Sequence, residues 1–374
     1  VTVVIAGGGT GGHLYPGLAV AREILRRDPA ARVSFAGTAR GLEARIVPRE
    51  GFELDLIRSA GLKGKSLTAR ARGVGLLAPA FLDAWRIVSR RRPQVVVGVG
   101  GYSSGPVVMA AVLRGVPTLV LEQNAAPGLT NRVLARWVRA AAVSYESTLG
   151  FFHGRGFVAG NPVRPEFFAR PPARGSADAA EAPSGLATAA PGATRVLVFG
   201  GSQGAHAINA AMAAAAPALA ARGSALSLTH QTGERDLAMV EQAYRQAGLT
   251  ADVRAFIDPM APAMLAADLV VCRAGATTLA ELAAAGRPAI LVPFPGATDD
   301  HQRKNAEVVQ AAGGADLIDQ RDLTGERIAA ALASLSGDRA RLRAMSDAMR
   351  RLAAPDAASR IVDRIEALAK EARA

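Results

Sequence analysis

Cysteine occurs once in 374 residues, at Cys272, so no internal disulfide can form, and no Cys/His pair stands at a zinc-ligand spacing. A reducing compartment with no structural metal is the expectation. No acidic, basic or glutamine-rich tract is long enough to mark a disordered tail. No basic segment followed by an apolar signal core opens the sequence, so nothing in it calls for export. Lysine is scarce as well: 40 of the 44 basic residues are arginine, a bias that codon usage alone produces. The formal charge of +12 therefore does not by itself point to nucleic acid, and none is expected as a partner. One charge-free stretch, Val95 to Leu113, is long enough to test as a membrane span. Gly-Gly-Tyr-Ser-Ser-Gly-Pro in its middle would expose unpaired backbone to lipid, which leaves strand, loop and helix.

What is present is the material of two cores. Half the residues are hydrophobic, and 374 residues suit two domains, since a domain commonly runs to about 100–200. Short β-branched runs alternate with longer Ala/Leu/Arg stretches: Val1–Ala6, Val33–Ala36, Val95–Val99, Pro117–Leu121 and Ala141–Ser144 read as parallel strands with helices between. The pattern restarts with Arg195–Phe199, Leu226–Thr229, Val253–Phe256, Leu269–Cys272 and Ala289–Val292. The Pro/Ala/Ser/Gly run from Pro171 to Gly192 has the composition of an unstructured connection. The expected domains are residues 1–163 and 164–356, with a last helix, 357–374, turning back onto the first half. Two doubly wound α/β domains would place their strand C-terminal loops toward a ligand.

Three loops are suited to chemistry. The first strand runs into Gly7-Gly8-Gly9-Thr10-Gly11-Gly12-His13, then a helix from about Pro16, so that backbone amides approach an anion or sugar at a helix N-terminus. Gly7, Gly9 and Gly12 fit a dinucleotide fingerprint, but the second strand ends in Gly37-Thr38-Ala39-Arg40, with no acid to hold a ribose. The second half repeats the device at Gly200-Gly201-Ser202-Gln203-Gly204-Ala205. Neither loop contains Gly-Lys-Ser/Thr, which disfavours ATP hydrolysis. Tight strand-to-helix packing alone accounts for one such loop more readily than for two at matching points. The third, Cys272 to Glu281, puts Glu281 in the first turns of a helix, either to accept from two ribose hydroxyls or simply to face the helix dipole.

Charge concentrates locally. Lys63, Lys65, Arg70, Arg72, Arg86, Arg90, Arg91 and Arg92 stand against one acid, Asp83, interleaved with Leu77, Phe81 and Trp85. That mixture suits a helix resting on anionic lipid headgroups, and equally an ordinary amphipathic helix packing those apolar residues into its own domain.

Taken in order, GGGTGGH, GVGGYSSGP, EQNAAPGLTN, GNPVR, GGSQGA, HQTG, FIDPM, CRAGATTLAE and DHQRKNA closely resemble the MurG family, over Val1 to about Ala312. The resemblance implies a GT-B fold, two Rossmann-like domains facing across a cleft. It implies an inverting, metal-independent transfer, with no cofactor, of N-acetylglucosamine from UDP-N-acetylglucosamine to the muramoyl C4 hydroxyl of lipid I, giving lipid II for peptidoglycan. Uracil would stack by Phe256 and pair with the backbone of Ile257, Glu281 would hold the ribose, and Ser202 and Arg164 would meet the diphosphate. Ala276, Thr277, Thr278, Leu279 and Ala280 would contact nucleotide and sugar through backbone. Asn124, Gln302, Thr10, Gly11 and Gly12 would define the N-acetylglucosamine pocket, and Tyr102, Ser103, Ser104 and Gly105 the acceptor side. His13 is the candidate base, kept neutral by the following helix, or merely a hydrogen-bonding loop residue; Glu122 is the substitute base. His206 and His230 are expected to be structural and His153 to lie on the surface. The lipid acceptor implies a peripheral site on the cytoplasmic side of the cell membrane, against its anionic leaflet, with other cell-wall synthesis proteins as further partners. The connection from Pro171 looks longer than the family's, and Thr277 stands where a larger apolar residue is common.

Three other readings compete: a GT-B glycolipid synthase with another acceptor, a UDP-N-acetylglucosamine epimerase with none, and a non-enzymatic NAD-binding Rossmann protein. The EQN and GGYSSGP segments argue against the first two, and the missing acid after the second strand against the third.

Overall fold

A computed structural model describes residues 1–58, 77–169, 192–201, 204–221 and 226–372. The chain divides into two compact units, Val1–Val163 with Ala354–Ala374, and Arg164–Ala353. In the first unit, β1 (Thr2–Gly7), β2 (Arg32–Gly37), β3 (Glu53–Leu56), β4 (Val95–Gly100), β5 (Thr118–Glu122), β6 (Ala140–Val143) and β7 (Gly156–Val158) form one parallel sheet, ordered β3-β2-β1-β4-β5-β6-β7. Helices α1 (Gly11–Arg27), α2 (Glu43–Arg49), α3 (Leu77–Arg91), α4 (Ser104–Leu113) and α5 (Leu129–Leu134) connect them. The central strands are buried along their whole length, as Val-rich β4 and Leu/Val-rich β5 require when helices cover both faces. One core lies under Leu14, Leu18 and Ile24 of α1, the other under Val107, Val108 and Ala111 of α4.

The second unit repeats the plan with β8 (Thr194–Phe199), β9 (Leu226–Gln231), β10 (Ala251–Arg254), β11 (Leu269–Cys272), β12 (Ala289–Leu291) and β13 (Ala315–Leu317), ordered β10-β9-β8-β11-β12-β13. Its helices are α6 (His206–Ala220), α7 (Leu237–Gln246), α8 (Met260–Ala266), α9 (Ala276–Ala285), α10 (His301–Ala311), α11 (Gly325–Gly337) and α12 (Arg339–Leu352). A last helix, α13 (Ala357–Glu371), belongs to the first unit. Its Ile361, Ile365 and Leu368 share the core with α1, and Arg27 donates to Asp363 at 2.6 Å.

Both sheets are doubly wound: the chain steps from the first strand outward to one edge, then returns to the other side of that strand. The switch points fall between β1 and β4 and between β8 and β11, the place where loops at the strand C-termini of such sheets diverge. Two expectations shift. Helix α1 begins at Gly11 rather than near Pro16, because Leu14 N–H already donates to Thr10 O at 3.2 Å. A proline this close to the N-terminus removes one amide and keeps a helical φ. Strands β3, β7 and β13 carry no clear sequence signal, and β10 lies two residues before its expected start. All four are sheet edges, short and partly exposed, without the apolar run that marks a central strand.

Candidate functional site

At the first switch point the register of β1 against β4 slips at Gly7, which pairs with Gly100. Gly100 has φ +96, and a Cβ there would lie 2.7 Å from Cδ2 of His13, so the imidazole rests directly on glycine backbone. Thr10 is the N-cap of α1, Gly11 and Gly12 form its first turn, and Thr10 Oγ1 lies 3.2 Å from His13 Nδ1. That contact, with the orientation of the helix, points the imidazole from the first turn of α1 onto the β4 loop. Following β4, Tyr102 is exposed, Ser103 and Ser104 are buried, and Gly105 lies in the first turn of α4.

Glu43, which no motif singles out, fixes this loop. It is fully buried, and its carboxylate accepts from Gly9 N–H at 2.7 Å and from the N–H and hydroxyl of Thr38, both at 2.9 Å. Cβ atoms at Gly8 and Gly37 would each come within 2.5 Å of its side chain. The acid missing from the end of β2 is thus present six residues on, but it binds the protein's own loops. The glycines at 37 and 41 that flank it were the available signal.

Glu122, the substitute base, is also buried and its oxygens are committed. Oε1 accepts from the Asn124 N–H at 3.1 Å and side-chain amide at 3.2 Å, and Oε2 from Gly128 N–H and Asn131 Nδ2, both at 2.9 Å. Burial pushes its carboxyl above the usual range, against these four donors. The geometry makes Glu122 the post around which the loop carrying Asn124 is wound.

In the second unit Gly200, Gly201, Gly204 and Ala205 lead into α6, and Gly204 N–H donates to Gly201 O at 3.1 Å. Ser202 lies outside the described residues. Below the turn runs a buried chain of bonds: Tyr244 hydroxyl to His230 at 2.8 Å, His230 to Asn209 at 3.1 Å, and Asn209 to Asp236 at 2.8 Å. His206, largely exposed, ends it 3.0 Å from Asp236. Burial pushes His230 down to about 3, so it is neutral and structural. His153 is exposed.

Helix α9 begins after N-cap Gly275, so the first-turn amides of Ala276, Thr277 and Thr278 face outward from the strand ends, with Leu279 buried and Ala280 partly so. Asn305 of α10, fully buried, donates to Ala274 O at 3.3 Å and braces that turn. Glu281 is nearly buried, and its desolvation raises its carboxyl to about 7; the Arg164 guanidinium, 3.4 Å away, draws it down, and Glu166 pushes it up. Arg164 also stacks over Phe167 at 4.9 Å, so in this structure it stands at the expected ribose carboxylate. Phe256 is exposed and Ile257 buried. Gln302 Oε1 accepts from Phe294 N–H at 2.9 Å.

Of the basic patch, Lys63, Lys65, Arg70 and Arg72 lie outside the described residues, as does the segment 170–191. Leu77 opens α3. Phe81 packs partly into the core with its ring 6.0 Å from that of Trp85, which stays exposed along with Leu82 and Arg86. Arg114 lies over Trp85 at 4.8 Å, and Asp83 is taken by Arg58 at 2.7 Å. Among the described residues no helix is long and apolar enough to cross a membrane.

Residues 3–143 match the glycosyltransferase family 28 N-terminal domain and residues 195–361 its C-terminal domain. A protein of Anaeromyxobacter dehalogenans (strain 2CP-C), named UDP-N-acetylglucosamine--N-acetylmuramyl-(pentapeptide) pyrophosphoryl-undecaprenol N-acetylglucosamine transferase, is 49% identical over 365 residues, 96% of this chain and 91% of that protein. One of the same name from Pelobacter propionicus is 46% identical over 372 residues, 97% of this chain and 98% of its own. The crystal structure of Acinetobacter baumannii MurG superposes with a TM-score of 0.77 at 30% identity, covering 98% of this chain and 99% of that one. Two Rossmann-like units of the GT-B type, both family 28 domains and relatives of near-half identity along the whole length place this chain in glycosyltransferase family 28 and, within it, in the MurG family.

Proposed function

We propose that the chain is an inverting hexosyltransferase that moves N-acetylglucosamine from UDP-N-acetylglucosamine to the C4 hydroxyl of an undecaprenyl-pyrophosphoryl N-acetylmuramoyl peptide. The observation that carries this reading is the shared name of relatives at 46–49% identity over nearly their full length. The geometry suits it. Glycine-lined turns opening α6 and α9 offer backbone amides to a diphosphate, and Glu281 offers a carboxylate to two vicinal hydroxyls.

In the reaction the acceptor hydroxyl oxygen bonds to the anomeric carbon of the donor sugar, opposite the leaving group. The bond from that carbon to the β-phosphate oxygen breaks, and its electron pair leaves with UDP. The hydroxyl proton passes to His13. Thr10 beside Nδ1 and the glycine floor at Gly100 support that role, since they orient the ring. UDP leaves as an anion whose charge is met by first-turn amides of the second unit. Thr10–Gly12, Asn124 and Gln302 are assigned to the N-acetylglucosamine, and Tyr102–Gly105 to the acceptor.

The first unit is assigned to the anionic cytoplasmic leaflet of the cell membrane. Exposed Trp85 and Leu82, Arg86 beside them, Arg114 over the indole and an Asp83 already neutralised by Arg58 support that contact. Other cell-wall synthesis proteins are natural partners there. Transfer of labelled N-acetylglucosamine to a short-chain lipid I analogue, with UDP-galactose and acceptor-free controls, tests the activity. Release of UDP without acceptor would favour an epimerase. Vesicle co-sedimentation of Trp85→Ala tests the contact, and binding equal to that of the unaltered protein would remove it.

A further inference from the structure

We propose that Gln231 is a positioning residue of donor recognition, whose carboxamide fixes the spacing between the diphosphate turn and the base-reading loop; this rests on the donor assignment above. Gln231 is the last residue of β9, and its register partners on either side are Phe199 of β8 and Arg254 of β10, the residues from which those two loops depart. Its side chain is buried between them. Nε2 donates to Gly201 O at 3.0 Å, and Oε1 accepts from Ile257 N–H at 2.8 Å. The Gly201 carbonyl is the one that closes the glycine turn by accepting from Gly204 N–H, so the tie acts on the turn's own hinge.

A primary amide of this length offers a donor to one loop and an acceptor to the other. Ionised glutamate offers acceptors only, and leucine neither donor nor acceptor. A ligand that touches one loop is insensitive to their spacing, whereas a uridine diphosphate spans both. Ionised glutamate at this position keeps the acceptor for Ile257 and sets a carboxylate against the Gly201 carbonyl, so its effect should fall on the phosphate side alone, whereas the protonated acid would still donate to Gly201.

Calorimetric titration at about pH 8.5, to favour the ionised glutamate, of unaltered protein, Gln231→Glu and Gln231→Leu with UDP and with uridine, beside thermal melts of each, tests this. Gln231→Glu should bind uridine within about twofold of the unaltered protein and UDP at least about tenfold more weakly, raising KM for the sugar nucleotide more than it lowers kcat. Gln231→Leu should lose affinity for both. UDP binding unchanged in Gln231→Glu, or uridine and UDP weakened by one common factor, would assign Gln231 to folding alone and overturn the proposal. Should Gln231→Leu not fold, the ratio in Gln231→Glu still decides. Unaltered protein that fails to bind UDP overturns the donor assignment itself, before any variant is compared.

Discussion

Glu281 makes donor binding depend on pH, with a size and sign that follow from its burial. Desolvation holds its carboxyl at about 7 in the unliganded protein, and only the ionised form accepts from both ribose hydroxyls. With that midpoint the ionised fraction falls from about 0.9 at pH 8 to about 0.1 at pH 6. Apparent affinity scales with the competent fraction, so Kd should rise about tenfold as pH drops across that window. Uridine is the ligand to use, because a phosphate group titrates near 6 and would add its own dependence. In Glu281→Gln one acceptor becomes a donor: binding should weaken by about 1.5–3 kcal/mol, roughly 10- to 150-fold, and lose its pH dependence. Arg164→Ala removes the cation that draws Glu281 down, so the midpoint should move to higher pH. Titration calorimetry at half-unit pH steps reads all three. A flat uridine profile between pH 6 and 8, or the same slope surviving in Glu281→Gln, refutes the assignment.

His13→Ala should leave UDP affinity within about twofold while turnover falls about 10²–10⁴-fold, the usual worth of a general base; retained turnover removes His13 from that role. Gly100→Ala puts a Cβ 2.7 Å from the imidazole at φ +96, so the ring must shift. A displacement of about 1 Å costs about 10²-fold in rate, and turnover within twofold of the unaltered enzyme would show that the ring's seat on Gly100 is immaterial. Glu43→Gln turns an amide donor toward Gly9 N–H or Thr38 N–H, which should cost about 1–3 kcal/mol in denaturant titration and raise KM for UDP-N-acetylglucosamine without changing UDP affinity. Equal stability would mean the carboxylate does not clamp the loop.

The central strands and the glycine loops were legible because their causes are local. A buried parallel strand needs an apolar run, and glycine is needed at Gly7, where a Cβ would strike Gly100, and at Gly100, where it would strike the His13 ring. Edge strands such as Glu53–Leu56 and Ala315–Leu317 carry no such run, since one side of each is open. Loop-bracing side chains were hidden for another reason. Glu43, Gln231 and Asn305 act on backbone groups 26 to 34 residues away, such as Gly9, Ile257 and Ala274, and no local pattern encodes which backbone N–H or carbonyl a buried side chain will meet. Glu122, the substitute base, likewise gives no local sign of the four donors that converge on it, two from Asn124 and one each from Gly128 and Asn131.

The most direct test of the account is the linkage in the isolated product. After incubation with UDP-N-acetylglucosamine and a short-chain lipid I analogue, mass spectrometry and the anomeric proton coupling by NMR should report one added N-acetylglucosamine, β-linked to the muramoyl C4 oxygen. An α linkage, attachment at another hydroxyl, or free N-acetylglucosamine with no disaccharide would contradict it.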